Sequence, residues 1–256
     1  MEYLVSIILG IVEGITEFLP ISSTGHLILV SHLLPVVSSE FWKSFIIIIQ
    51  LGAILSVVVL YWNKLWQIKV LWGKLLIAFI PTAILGLIFY KLIKTYLLNN
   101  TWVVVIALLV GGILIILFEK YYHPKETTTE VWPTYKQSFI IGLFQSVAII
   151  PGVSRSAATI LGGLSLGISR KTIVEFSFLL AIPTMAAATG LDLLKVGTSF
   201  SSEEWVILAI GFVTSFLVAI WAVKFLVRYI QKHDFTLFGW YRIILALLFL
   251  GVIILK

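Results

Sequence analysis

The chain has 256 residues, 60% of them hydrophobic and only 12% charged, with a mean hydropathy of +1.10. Ordinary soluble domains carry about 25% charged residues, so a water-soluble globular fold is excluded and an integral membrane protein is indicated. The net charge of +6 includes no basic run longer than Arg170-Lys171, which argues against a nucleic-acid partner, and the lack of cysteine removes disulfides and thiol chemistry.

In chain order, residues 4–34 come first. They are hydrophobic but broken by Pro20, by glycines and by a polar cluster. The N-terminus has neither a basic leader region nor a small-residue cleavage site, so it does not read as a removable signal peptide. The broken segment predicts two short half-helices that enter the bilayer and turn back, because non-helical backbone at membrane depth must be buried in protein or line a wet cavity. Three stretches long enough to span follow, at about 41–62, 74–93 and 101–119. The polar stretch 120–136, with Pro124 and three successive threonines, reads as a connection. A second broken segment, 137–168, is interrupted by Pro151, and three more spans follow at about 172–194, 204–228 and 237–255.

The order is therefore a broken segment and three helices, twice over. The halves align at an offset of about 131 residues, with Pro20-Ile-Ser-Ser falling on Pro151-Gly-Val-Ser. Three spans per half invert the second copy, an arrangement in which sites form near the midplane at the repeat interface. The predicted fold is an all-α integral membrane protein with an inverted-topology repeat. Residues 1–122 form the first repeat, 123–136 the connecting loop and 137–256 the second repeat. Each half is a re-entrant broken helix pair plus three transmembrane helices.

Loop charge orients the chain. If the 63–73 loop is cytoplasmic, the cytoplasmic ends hold Lys64, Lys69, Lys74, Lys120, Lys125, Lys136, Arg170, Lys171, Lys224, Arg228, Lys232 and Arg242. The other side holds only Lys43, Lys91, Lys94, Lys195 and Lys256, as the positive-inside rule requires. The first broken segment then enters from the outer face. Trp42, Trp62, Trp102, Trp132 and Trp240 fall near predicted helix ends, where aromatic belts form.

The polar clusters carry the chemistry. Glu13 and Glu17 lie one turn apart on one helix face, inside membrane-type sequence. Two close carboxylates repel unless a cation intervenes, and Mg²⁺ or Ca²⁺ held by carboxylates and substrate phosphates is a familiar solution. Ser22, Ser23 and Thr24 suit a helix N-cap, and a helix N-terminus also attracts anions. His26 lies within a turn of Ser23, and a hydroxyl near an imidazole meets the basic requirement for an activated nucleophile. In the second cluster Ser154, Arg155, Ser156 and Thr159 follow Pro151-Gly152. Arg155 is costly at bilayer depth and its fork suits phosphate. A purely structural alternative pairs it with Glu13 or Glu17 across the repeat interface. Gln145 stands in the second half where Glu13 stands in the first, with an interhelical hydrogen bond as its ordinary role. Glu175 reads as a packing charge, and His32, His123 and His233 as incidental.

Taken together, Glu13-Gly-x-x-Glu17-Phe-Leu-Pro-x-Ser-Ser-Thr-Gly-His26 and Pro151-Gly-x-Ser-Arg-Ser-x-x-Thr159 resemble the two signature motifs of bacterial undecaprenyl-diphosphate phosphatases of the bacitracin-resistance type. The resemblance covers essentially the full length. It implies hydrolysis of undecaprenyl diphosphate to undecaprenyl phosphate and inorganic phosphate, which recycles the lipid carrier for cell-wall synthesis. It also implies a divalent cation, a homodimer, and a multi-pass protein of the bacterial cytoplasmic (inner) membrane whose site faces the outer side. By motif position Glu13, Glu17, Ser23, His26 and Arg155 are the catalytic set, with Glu13 and Glu17 as metal ligands. Ser22, Thr24, Ser154, Ser156 and Thr159 would line the phosphate site. Ser23 is the favoured nucleophile with His26 as its base or as the acid at the leaving oxygen, and a water positioned by His26 is the rival. Fold alone also allows a polyprenyl-phosphate or anion transporter of inverted-repeat type. The Glu-Glu-Ser-His constellation exceeds what reversible binding needs.

Overall fold

A computed structural model describes residues 1–34, 39–89, 92, 96, 97, 100–122, 131–196 and 200–254. Most of the expected connecting loop, residues 123–130 with His123 and Lys125, lies outside them. So do Lys91, Lys94 and Lys256, and the side chains of His32 and Lys195. The described residues form helices and no strand. They are α1 (Glu2–Thr16), α2 (Ser23–Leu33), α3 (Glu40–Leu60), α4 (Trp62–Gln67), α5 (Lys69–Ile88), α6 (Thr101–Tyr121), α7 (Tyr135–Ser146), α8 (Arg155–Ser165), α9 (Arg170–Val196), α10 (Ser202–Tyr229) and α11 (Thr236–Ile254).

Six of these, α3, α5, α6, α9, α10 and α11, are long and apolar enough to cross a membrane. The second span begins at Lys69 rather than at 74, because Tyr61 caps α3 and the Trp62–Gln67 turn of helix closes the gap. The four remaining long segments are short helices in two broken pairs. At 15 and 11 residues, α1 and α2 reach only about 22 and 16 Å at 1.5 Å per residue, short of a hydrocarbon core of about 30 Å. The chain turns between them at Pro20, whose missing N–H and fixed φ oppose a continuous helix. The second pair breaks after a 3₁₀ turn at Val147–Ile149, where Pro151 and Gly152 redirect the chain.

Packing exchanges partners between the halves. α1 lies along α10, and α7 lies along α5. α3 also packs on α10 and α9 on α5, while α3 meets α9 and α6 meets α11. Close approach needs small residues, as in other membrane interfaces. A Cβ on Gly10 would stand 2.7 Å from the Gly211 carbonyl, and one on Gly14 would stand 2.7 Å from that of Ser215. The main apolar core gathers Phe18, Leu19, Phe176, Phe178 and Leu179 from both halves around the two breaks.

Trp62, Trp102 and Trp240 are exposed as an interfacial belt requires, but Trp42 is buried against Phe41 and Phe45 in a second core. Glu175 pairs with Lys64 at 2.5 Å. Arg242, expected among the loop charges, is instead fully buried one and a half turns into α11. A further buried carboxylate, Glu119 on α6, takes both guanidinium nitrogens of Arg170 and the backbone N–H of Phe235. That clamp ties α6, α9 and the entry to α11. Removing one partner of a buried pair leaves the other uncompensated, at a cost of about 3–5 kcal/mol. Glu119→Ala is therefore expected to lower the thermal unfolding midpoint in detergent markedly, a shift that differential scanning fluorimetry reads directly.

Candidate active site

The two breaks face each other and bring the two polar clusters into one place. Glu17 follows the last residue of α1 and keeps a helical conformation, its N–H donating to the Glu13 carbonyl at 3.0 Å. After the Pro20 turn, Ser22 takes φ +72°, the one left-handed non-glycine residue among those described. It caps α2 by accepting from the Gly25 N–H at 3.4 Å. This reversal aims Ser23, the first residue of α2, back at Glu17, and its Oγ donates to Glu17 Oε2 at 2.6 Å.

The second break mirrors the first in part. Gly152 sits at φ +90°, a conformation that L side chains rarely adopt. Ser154 caps α8 by accepting from the Ala157 N–H at 3.2 Å. Arg155, the first residue of α8, donates through Nη2 to Glu17 Oε1 at 2.6 Å and through Nη1 to the Ser177 carbonyl at 2.9 Å. Its guanidinium lies over the Phe18 ring, 6.0 Å from the centroid, within the range of cation–π attraction. Arg155 Nε is buried without a hydrogen-bond partner. The expected cross-repeat ion pair therefore exists, and Glu17 is its acceptor.

A cavity of about 210 Å³ opens on these groups. Glu17, Ser22, Ser23, Thr24, Ser154 and Arg155 line it, and Gln50, Thr82, Gln145 and Thr184 form a further polar wall. Gln145 donates to Thr82 Oγ1 at 2.9 Å and Thr184 Oγ1 at 3.4 Å. The interhelical hydrogen bond expected of Gln145 is thus present, and on the cavity wall.

Two residues expected in the phosphate lining do not border the cavity. Ser156 is fully buried and donates to the Leu19 carbonyl at 2.9 Å, which holds one break to the other. Thr159 is equally buried, and its hydroxyl meets Ser177 Oγ at 2.6 Å. Ser156 turns away from the cavity toward the first break, whereas Thr159 stands one turn beyond Arg155 on the same face and is taken up by Ser177. The expected hydroxyl–imidazole contact is also absent. His26 Nδ1 lies 2.8 Å from the Ser22 carbonyl and Nε2 lies 2.7 Å from the Tyr241 hydroxyl, so the proton acceptor beside Ser23 is Glu17. Sequence reasoning passed over Tyr241 altogether and counted Arg242 as loop charge. A cation five residues into an apolar run was the available signal.

Glu13 is fully buried and both its carboxylate oxygens lack hydrogen-bond partners. An uncompensated buried carboxylate is costly, so this orphaned pair of acceptors fits a divalent cation. The described residues contain no group of three or more His, Cys, Asp or Glu that could hold a metal ion. A divalent cation there would have Glu13 and Glu17 as its protein ligands, Glu17 being shared with Ser23 and Arg155, and would need phosphate oxygens and water to complete its shell.

The family described as Bacitracin resistance protein BacA matches residues 6–248. Undecaprenyl-diphosphatase of Aquifex aeolicus is 51% identical over 245 residues, covering 95% of this chain and 96% of its own. The Persephonella marina protein of the same name is 52% identical over 252 residues, covering 98% of both chains. That of Enterococcus faecalis is 44% identical over 268 residues, covering 98% of this chain and 96% of its own. With two pairs of short helices, six helices long and apolar enough to cross a membrane and a family match across nearly its whole length, this chain belongs to the bacitracin resistance protein BacA family.

Proposed function

We propose that this protein hydrolyses undecaprenyl diphosphate to undecaprenyl phosphate and inorganic phosphate, recycling the lipid carrier and conferring bacitracin resistance. The observation that carries the mechanism is the chain Ser23 Oγ to Glu17 to Arg155, with separations of 2.6 and 2.6 Å. A hydroxyl donating to a carboxylate is a nucleophile beside its base. In the first step Ser23 Oγ attacks the terminal phosphorus and its proton passes to Glu17 Oε2. The anhydride P–O bond breaks and undecaprenyl phosphate departs. The proton held by Glu17 leaves with the undecaprenyl phosphate oxygen. In the second step water attacks the phosphoserine, its proton passes through the freed carboxylate to Ser23 Oγ as the Oγ–P bond breaks, and inorganic phosphate leaves.

Charge spreads over the phosphoryl oxygens in such a transfer. As substrate enters, Arg155 can exchange Glu17 for phosphate without losing charge neutralisation, and its Ser177 contact fixes the guanidinium's direction. Ser22 and Thr24 at the start of α2, with Ser154 at the start of α8, offer hydroxyl and amide donors to the remaining oxygens. A cation on Glu13 and Glu17 would supply further electrostatic stabilisation there. Glu13→Gln and chelation are each expected to lower phosphate release at least about a hundredfold. Added Mg²⁺ or Ca²⁺ should restore chelated wild type and leave Glu13→Gln low. Full activity in chelator would instead assign a shared proton to the Glu13–Glu17 pair.

The inverted-repeat division, 1–122 and 137–256, is supported by the exchanged packing of α1 on α10 and α7 on α5. A site opening to the outer face of the cytoplasmic membrane is supported by the surplus of Lys and Arg at the opposite ends. The C55 tail then stays in lipid while its diphosphate enters the cavity. A homodimer rests on the family resemblance, and light scattering of the detergent-solubilised protein measures it. The deciding experiment is phosphate release by purified protein in detergent, where transport has no meaning. Release that depends on Arg155 supports the phosphatase, and no release at all leaves the carrier.

A further inference from the structure

Arg242 is the largest fully buried side chain among the described residues, and it has no carboxylate partner. Burying a guanidinium this way is expensive unless every N–H finds an acceptor. Here the acceptors are backbone carbonyls from three separate segments. Nη2 donates to Ala107 at 2.9 Å and Gly152 at 3.1 Å, Nη1 to Pro20 at 3.4 Å and Nε to Leu108 at 3.4 Å. Pro20 and Gly152 are the turning points of the two breaks. Gly111 leaves the room for this head group, since a Cβ there would fall on Nη2.

The neighbouring residue reaches the same place by another route. A carbonyl can only accept, so the 2.8 Å contact to Ser22 makes His26 Nδ1 the protonated nitrogen. In the neutral ring Nε2 then has only a lone pair, and the Tyr241 hydroxyl donates to it at 2.7 Å. The two rings lie parallel within 8°. The carbonyl held by His26 belongs to Ser22, the residue at φ +72° whose reversal aims Ser23 at Glu17. A left-handed serine persists only when its surroundings over-determine it.

We infer that Tyr241 and Arg242 of α11 are the positioning element of the site. Arg242 fixes the two breaks in register, and Tyr241, through His26, pins the strained Ser22 carbonyl that places the Ser23 hydroxyl. His26 is then a positioning donor and not the base. This rests on the proposed phosphatase reading for its rate measurements but has a readout of its own.

The test compares variants of the full-length protein in detergent. An asparagine at position 26 places an amide N–H where Nδ1–H stands, yet cannot take a proton from a serine. His26→Asn is expected to stay within about tenfold of wild-type kcat, and His26→Ala to lose at least about a hundredfold, because small misplacements cost that much. Tyr241→Phe should lower kcat about tenfold with KM little changed. Adding it to His26→Ala should cost nothing more, since the two act as one unit. Arg242→Lys, which keeps the charge but not the fork, should fall with Arg242→Met. If His26→Asn is as inactive as His26→Ala while both elute as single species and wild type turns over, the inference fails. Hydrogen exchange of the Ser22–His26 amides supplies the second measurement. It should quicken in Tyr241→Phe, and unchanged protection would overturn the inference even if wild type released no phosphate.

Discussion

Ser23→Ala is expected to cut phosphate release from undecaprenyl diphosphate by about four to six orders of magnitude, the scale seen when a nucleophile is deleted from a site that acts as one unit. The structure gives the reason. Ser23 Oγ has one acceptor, Glu17 Oε2, and borders the cavity from the first turn of α2. The side chain is small and sits at a helix start, so alanine should fold normally and the loss should fall on kcat. Rapid quench of wild type should trap phosphate on Ser23, and Glu17→Gln should slow both its formation and its hydrolysis. Retention of turnover within about tenfold by Ser23→Ala, with no phosphoserine, would assign attack to a water instead.

The second large effect is expected at Arg155. Its loss should lower kcat/KM by about 10³- to 10⁵-fold, the range for an arginine that neutralises a transferring phosphoryl group. Arg155→Ala would also strand Glu17. The two side chains are 9% and 3% exposed, so breaking this buried pair should cost about 3–5 kcal/mol as well. Arg155→Lys separates the two consequences. It keeps a cation for Glu17 and therefore the fold, but it cannot reach Glu17 and the Ser177 carbonyl with one rigid fork. An unfolding midpoint near wild type with kcat down about a hundredfold is the expected outcome. Wild-type kinetics in Arg155→Lys would reduce the guanidinium to a structural pair.

Both predictions rest on residues that were legible in the sequence. Glu13, Glu17 and Arg155 stand out because a bilayer makes ionisable groups costly, and Ser23 stands out by its place in a hydroxyl cluster beside them. The six spans were legible to within a few residues for the same reason. What misled was direction. His26 lies three residues from Ser23 in sequence, yet a helix begins between Ser22 and Ser23 and turns the imidazole toward α11. Ser156 and Thr159 share a motif with Arg155, yet Ser156 turns to the Leu19 carbonyl and Thr159, on the same helix face as Arg155, is engaged by Ser177.

By itself, then, the sequence determined that the chain lives in a membrane, that two broken segments share a polar site, and which residue types carry its charge. Hydrophobic cost acts locally and needs only composition and spacing to be read. Only the tertiary structure decided which group takes the proton of Ser23, that Arg155 pairs with Glu17, and that Tyr241 and Arg242, more than two hundred residues from the first break, brace it. Those outcomes depend on hydrogen bonds whose partners meet through the packing of α11 and α6 behind the breaks, and no local pattern encodes a distance across a fold.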